Sequence, residues 1–268
     1  MASFSDAQPY IDSVCNRFPM LSAMFSVETT PVWERYLNPY NDVLDILQIP
    51  HLNFLAAVIG GAEEVRQVEG QGPMIKVLTT LAHYLQEFTD LVTDKKFTDK
   101  LLNPDGLTFL NTMSELSLAY RLKTAGYIIT FEVPFRQQGK QSDNDVDLKA
   151  VSSENKTYYF EVYDPAEMAS DGFGDPLRQD RMAFKVQRKL SKKFGLGDLS
   201  GLAEGVVLLA VNTAHVDEFR IGSIVAPWHL NQELETFTQF LPSAVDGYVF
   251  FDDDFTGEFV FQGLFLRK

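Results

Sequence analysis

The residues best suited to chemistry lie on two short segments near the middle of the chain. In the first segment Asp145, Asp147 and Lys149 alternate with apolar residues, and in the second Glu161 and Tyr163 do so. Alternation with a period of two is typical of a β-strand, whose successive side chains point to opposite faces. Each segment is therefore predicted to be a strand with polar groups on one face and apolar groups on the other.

The loop between these strands decides whether their acidic faces coincide. Directly opposed residues of an antiparallel pair share a face, so a three-residue loop over 153–155 sets Asp147 opposite Glu161. A two-residue loop sets Asp147 opposite Val162 and puts the acids on opposite faces. We expect the three-residue loop, because the shorter one buries acids or exposes aliphatic and aromatic side chains.

Two opposed carboxylates repel each other unless a positive group lies between them. A divalent cation with oxygen ligands is the simplest such group. The alternative is an exposed strand face on which the acids are merely solvated.

Glu115 lies on a helix predicted over 108–125, which Gly126 is suited to end in a left-handed conformation. Apolar residues three, four and seven positions after Glu115 share its side of the helix. A charge on such a surface is costly unless it is paired. We expect Glu115 to have a cation or a buried partner, or else to lie at the edge of the apolar stripe and extend to water.

A basic amphipathic helix is predicted over 177–194. Seven basic residues and one acidic residue lie between positions 178 and 193, and the basic stripe spans about 21 Å, enough to follow several phosphates. The alternative is an ordinary solvated helix face. Opposite the apolar stripe lie Arg178, Arg181, Lys185, Arg188 and Lys192, with Lys189 and Lys193 on the flank.

The rest of the sequence predicts the helices and strands that position these segments. Residues 1–103 show apolar residues at helical spacing, and the turn at 103–106 is the clearest boundary in the first half. We predict a helical N-terminal region over 1–105 and an α/β unit over 106–268. The other predicted elements are a strand over 127–135, a strand buried on both faces over 205–212, a helix around 230–240 and a strand pair over 248–251 and 259–265.

The order helix, three strands, helix, strand over residues 108–212 resembles the αβββαβ core of the PD-(D/E)XK nuclease superfamily, the restriction-endonuclease-like fold. The segment 144–148 resembles the strand that carries the family's Asp, and 159–163 resembles its Glu-x-Lys strand. Glu115 stands where the family's helical Glu often lies. The resemblance implies an α/β fold with a mixed sheet and hydrolysis of DNA phosphodiester bonds that depends on Mg²⁺ or Mn²⁺.

The resemblance also implies roles for single residues. Asp147 and Glu161 would be metal ligands, Val162 would offer its backbone carbonyl, and Glu115 would assist directly or through water. The lysine position of the family is Tyr163 here, and a neutral phenol supplies neither the charge nor the donors of a lysine.

Another lysine would have to replace the one that this chain lacks at position 163. Lys149 shares a strand face with Asp147, and Lys185 lies on the following helix. Without either replacement, the resemblance implies a site that has lost catalysis.

Composition and charge narrow the classes of function. The chain has 268 residues, and 23 basic against 37 acidic residues give a net charge of −14, which argues against a general polyanion binder. Residues 108–212 are nearly neutral, with 13 basic and 14 acidic residues, and are the part best able to face a phosphate backbone. Cys15 is the only cysteine, which excludes a disulfide framework within the chain and a cysteine-rich metal site.

The sequence shows no feature of membrane insertion or secretion. No apolar run approaches the roughly 20 residues of a membrane-spanning helix, and the first residues lack the pattern of a signal peptide. A soluble, cytoplasmic protein without membrane partners is expected. We predict a divergent nuclease-like protein acting on DNA. The alternative is a catalytically inactive module for protein interaction or nucleic-acid binding, with the helical N-terminal region as a candidate surface for a protein partner.

Overall fold

The structure, a computed structural model, divides into two compact units. The first comprises Met1–Ser117 with Phe255–Glu258, and the second comprises Leu118–Asp254 with Phe259–Lys268. The division falls within a helix, whereas the boundary predicted from the sequence lies just before that helix. The residues described are 1–26, 29–48, 52–67, 71–103, 105–137, 144–165, 186–195, 199–200, 202, 204–214 and 241–267.

The described part of residues 1–105 is helical, as predicted. The first nine residues of its third helix are all buried, and Asn53 caps this helix by accepting a hydrogen bond from the Ala56 N–H. Trp33, Phe54 and Phe109 pack in the core of this unit. The helices are α1 (Phe4–Arg17), α2 (Thr30–Leu37), α3 (Phe54–Arg66), α4 (Pro73–Glu87) and α5 (Lys95–Leu101), with 3-10 helices at Pro19–Phe25, Val43–Gln48 and Thr89–Thr93.

Helix α6 (Gly106–Thr124) ends as its sequence predicts. Gly126 has a φ of 91°, a conformation that glycine adopts without steric cost. The Gly126 N–H donates to the Lys123 carbonyl, and the Tyr127 N–H donates to the Leu122 carbonyl. These bonds satisfy the last carbonyls of the helix and turn the chain into the first strand.

The second unit contains a mixed sheet. β1, β2 and β3 form an antiparallel meander, β3, β5 and β6 are parallel, and β7 is antiparallel to β6. The spatial order is β4-β1-β2-β3-β5-β6-β7. The strands are β1 (Ile128–Gln137), β2 (Asn144–Val151), β3 (Thr157–Tyr163), β4 (Leu199–Ser200), β5 (Gly205–Asn212), β6 (Gly247–Asp253) and β7 (Phe259–Leu266).

Two predictions about this sheet are confirmed. β5 lies between two parallel partners, and its last six residues are buried, as its continuous apolar run predicts. The C-terminal strand pair is present as β6 and β7, which extend the sheet. The helix predicted around 230–240 lies outside the described residues.

One face of the sheet is covered by a helix of which residues 186–194 are described, here α7. Val186, Leu190 and Phe194 lie on one side of α7 and pack into a core that includes Phe135 and Tyr248. Apolar residues four apart thus form the contact that the predicted amphipathic pattern requires. Within the described ranges, no helix combines the length and the apolar character needed to cross a membrane.

Candidate functional site

The hairpin between β2 and β3 has the predicted three-residue loop. Ser152 N–H donates to the Lys156 carbonyl and Asn155 N–H to the Ser152 carbonyl, and Asn155 has a φ of 61°. The register pairs Leu148 with Phe160, so the next position along sets Asp147 opposite Glu161. The two acids therefore approach each other, as the loop length predicts.

Asp147 lies where strand pairing is interrupted on both sides of β2. On the β1 side, Glu132 lies opposite Asp147, but the regular pairing of the two strands omits this position. Glu132 has a φ of 53°. On the other side, the described pairing with β3 stops at Phe160. There the Val162 N–H donates to Asp147 Oδ2 at 2.7 Å. A carboxylate thus accepts a backbone hydrogen bond from the neighbouring strand.

A single ammonium group lies between the two carboxylates. Lys193, from α7, is in contact with Glu161 Oε2 and lies 3.8 Å from Asp147 Oδ1. Lys189, one turn earlier, lies 3.3 Å from Glu161 Oε1. Two acids and two lysines therefore form one charge cluster between the sheet and the helix that covers it.

Glu161 is the most buried member of this cluster, with 2% of its side chain exposed. Burial and the neighbouring Asp147 charge raise its pKa to about 7, although Lys193 and Lys189 act in the opposite direction. Carboxyl groups with a pKa near neutrality are common at functional sites, where they transfer protons or bind ligands.

Of the two lysines that the sequence suggested, the structure describes Lys149, whose ammonium lies 5.9 Å from the centre of the Tyr159 ring. The other, Lys185, lies outside the described residues. Among the described lysines, Lys193 and Lys189 pair with the acids. They could have been recognised by their four-residue spacing and by their positions, each directly before a buried residue of the apolar stripe.

Tyr163 is half-buried against the core of the second unit. Lys189 Nζ lies 5.4 Å from its ring centroid, which is within the range of a cation–π contact. The phenol at the position of the family's lysine therefore lies beside an ammonium group from α7.

Glu115 has the cation partner expected for a charge on an apolar surface. It is 8% exposed, and Lys100 Nζ lies 3.3 Å from its Oε2. The alternative, in which Glu115 extends to water, is wrong. Glu115 and Lys100 belong to the first unit, whereas Asp147 and Glu161 belong to the second.

The basic face of the predicted helix is described only in part. Arg188 and Lys192 are exposed on α7, on the side away from the core. Arg178, Arg181 and Lys185 lie outside the described residues. The described basic residues of α7 thus form two groups: Lys189 and Lys193 pair with the acids, and Arg188 and Lys192 face solvent.

The donor set at the acids is suited to a hard divalent cation. Magnesium is commonly held by one or two carboxylates, with water or substrate completing its shell, and Asp147 and Glu161 already share one positive group. In the described part of the chain, no three or more His, Cys, Asp or Glu residues form a group that could hold a metal ion. Among the described residues, the acidic ligands available to a metal at this site are therefore the carboxylates of Asp147 and Glu161.

Comparison of the chain with protein-family models, with curated proteins and with solved structures found no match.

Proposed function

We propose that this protein is a divergent nuclease of the PD-(D/E)XK type that hydrolyses phosphodiester bonds of DNA with Mg²⁺ or Mn²⁺. The observation that carries the proposal is that Asp147 and Glu161, on adjacent strands, both lie beside the ammonium group of Lys193. The order of α6, the three-strand meander, α7 and the parallel strand β5 supports the same assignment.

Asp147 and Glu161 would hold the metal. The resemblance to the nuclease superfamily implies that the Val162 carbonyl would be a further oxygen ligand. The bound metal would supply positive charge for the phosphate in the transition state and promote ionisation of the attacking water. The chain itself contributes the orientation of the ligands. The Val162 N–H holds the Asp147 carboxylate in place, and the packing of α7 holds its lysines beside the acids.

Lys193 is our candidate for the role of the missing lysine. With a metal bound by the carboxylates, the Lys193 ammonium would no longer have to neutralise both of them and would donate hydrogen bonds to the attacking water and to a phosphate oxygen. Lys189 would remain available to Glu161. Arg188 and Lys192, exposed on the same helix, would contact the DNA backbone.

The metal site is tested by calorimetric titration with MgCl₂ and MnCl₂. We expect one site per chain in the wild type and at least about tenfold weaker binding in Asp147→Asn and Glu161→Gln. Asp145→Asn, two residues away on β2, is the matched control and should bind as the wild type does. Equal metal binding by the wild type and the three variants would show that Asp147 and Glu161 do not form a metal site.

The activity is tested on supercoiled plasmid and on single-stranded DNA. With Mg²⁺ present, we expect Lys193→Gln to cut at least about 100-fold more slowly than the wild type, through kcat rather than KM. Metal affinity should not fall, because a competing cation has been removed. Lys149→Gln is the control and should retain full activity, because the wild-type Lys149 ammonium lies over the Tyr159 ring. Equal loss in both variants, or in neither, would contradict the role of Lys193.

A catalytically inactive module is the second candidate. It is favoured by the charge cluster itself, because Lys193 and Lys189 already neutralise the acids without a metal. Such a cluster joins α7 to the sheet and has no need of catalysis. A wild type that binds labelled DNA but cuts neither substrate, in Mg²⁺ or in Mn²⁺, would support this candidate.

A further inference from the structure

A cavity in the first unit is lined by lysines that the nuclease proposal does not use. It lies between α5 and the start of α6, and its volume of about 500 Å³ is within the range of small-molecule binding sites. Its lining residues are Lys95, Lys96, Asp99, Lys100, Asn103 and Thr108. The polar ends of these side chains decide which ligand can bind, because they must replace the contacts that the ligand makes with water.

The cavity concentrates positive charge in an acidic part of the chain. Residues 1–107 include 7 basic and 14 acidic residues, and three of these basic residues line this one cavity. Asp99 is the one acidic residue among the described lining residues, so the ammonium groups outnumber the carboxylates by three to one. A concave surface on which one sign of charge predominates attracts ligands of the opposite sign. The cavity is therefore suited to an anion.

Lys100 is held at the wall of the cavity by a buried acid. Its Nζ lies 3.4 Å from Glu115 Oε1 and 3.3 Å from Glu115 Oε2, and Glu115 is buried on α6. A buried ion pair adds little net stability compared with apolar residues of similar size. The pair does fix its lysine, because moving the ammonium away would take a charged partner from a buried carboxylate. Lys100 thus places a positive charge at a defined position in the cavity.

Two further lining residues can meet an anion at low cost. Lys95 Nζ lies 2.8 Å from Asp99 Oδ2, but both side chains are exposed, and an exposed ion pair is weak. Lys95 can therefore exchange Asp99 for a bound anion. Asn103 Oδ1 accepts a hydrogen bond from the Asp105 N–H, so Nδ2 is the end of the Asn103 amide that can donate to a ligand.

We propose that this cavity binds the phosphate group of a small phosphorylated ligand, of the size of a mononucleotide. Lysine is a common phosphate ligand, and a phosphate monoester offers several acceptor oxygens and up to about two negative charges to the three ammonium groups. A long nucleic acid fits less well, because the cavity is small and residues 1–107 carry a net charge of −7, which repels an extended polyanion. The inference does not depend on the nuclease proposal, whose acids Asp147 and Glu161 belong to the second unit.

The test is calorimetric titration of the full chain with AMP, with inorganic phosphate and with adenosine, in about 50 mM NaCl and with EDTA to remove divalent cations. We expect AMP to bind at one site with a dissociation constant below about 1 mM, inorganic phosphate to compete for that site, and adenosine not to bind. Lys96→Gln should weaken AMP binding at least about fivefold, because a charge-assisted contact to the phosphate is lost. Asp99→Asn should tighten AMP binding at least about threefold, because a carboxylate that competes for Lys95 is removed.

The matched control is Lys76→Gln, which removes an exposed lysine of α4 in the same unit. It should bind AMP as the wild type does, and so should Asp147→Asn, whose change lies at the proposed metal site. Thermal unfolding should show that all the variants are folded.

Three results would overturn the inference. The first is that neither AMP nor inorganic phosphate binds the wild type at up to about 10 mM. The second is that Lys96→Gln leaves AMP binding unchanged, or weakens it no more than Lys76→Gln does. The third is that a short DNA duplex binds and Lys96→Gln weakens its binding while AMP does not bind, which would assign the cavity to nucleic acid instead.

Discussion

At the scale of single residues, the charge cluster of Asp147, Glu161, Lys189 and Lys193 is the feature that most needs explanation. A buried carboxylate is tolerated only when it is paired, and Glu161 has two lysines within reach. Its neighbour Asp147 also accepts a backbone hydrogen bond. Burial of Glu161 and, after it, the neighbouring charge of Asp147 nevertheless carry a cost, which is seen in the raised pKa of Glu161.

The raised pKa leads to a prediction about pH. Because the folded pKa of Glu161 is about 7 and its ordinary value is 4.5, the folded chain binds this proton more tightly than the unfolded chain does. The resulting stabilisation is fully present below pH 4.5 and is lost as the pH rises through 7. Glu161→Gln lacks this dependence, so wild-type stability relative to the variant should fall over that interval.

The measurement is the free energy of unfolding in urea for both proteins, at several pH values from about 4.5 to 8. Glu154→Gln is the control, because Glu154 is exposed in the hairpin and pairs only with exposed Lys156 among the ion pairs described. Its difference from the wild type should stay nearly constant across the series. A Glu161→Gln difference that is flat, or that rises with pH, would show that the lysines keep Glu161 ionised.

At the scale of elements, the site is built by the β2–β3 hairpin and by the chain turn that leads from α6 into β1. The hairpin loop sets which residues oppose each other, and the end of α6 sets where the meander begins. Both connections use a residue with positive φ, Asn155 in the first and Gly126 in the second. Local backbone conformation thus contributes directly to the position of the acids.

The end of α6 provides the second prediction. A Cβ at position 126 would meet no atom within 4 Å, so Gly126→Ala tests the backbone conformation alone. We expect a loss of about 1 kcal/mol in the free energy of unfolding, because alanine adopts the left-handed region with difficulty. Gly126→Asn should lose less, since asparagine tolerates this conformation better. Equal stability of the alanine variant, measured in urea, would argue against the left-handed turn.

At the scale of the whole molecule, the protein is strongly acidic but not uniformly so. Residues 1–107 and 213–268 carry net charges of −7 and −6, whereas 108–212 carry −1. The acids and the exposed basic residues of α7 both lie within this nearly neutral part. An interaction with DNA would therefore depend on a few contacts from α7 and would be sensitive to salt.

The third prediction concerns that dependence on salt, and it rests on the proposed function. Binding of a fluorescent duplex should weaken as salt is raised from about 50 to 200 mM. Replacing Arg188 and Lys192 together by Gln should reduce the slope of log K against log salt by about 2, because two phosphate contacts are removed. Anisotropy titrations measure the slope. Lys156→Gln, in the β2–β3 hairpin, is the control, and an unchanged slope in the double variant would exclude α7 as the contact surface.

Sequence alone determined the features that depend on neighbours along the chain. Alternating residues marked β2 and β3, and a three-residue loop set their register, because a strand has a period of two and the loop length decides which residues oppose each other. The glycine that ends α6 was predictable for the same local reason. These features required no knowledge of distant contacts.

Only the tertiary structure decided which positive group meets each acid. Lys193 lies 32 positions from Glu161 and Lys100 lies 15 positions from Glu115, and no local pattern specifies such pairs. They depend on how a helix packs against a sheet, and on how two helices pack against each other, which is set by apolar surfaces rather than by the charges. The exposed edge of β7 is equally a matter of topology, since a strand becomes an edge only through the order in which its neighbours assemble.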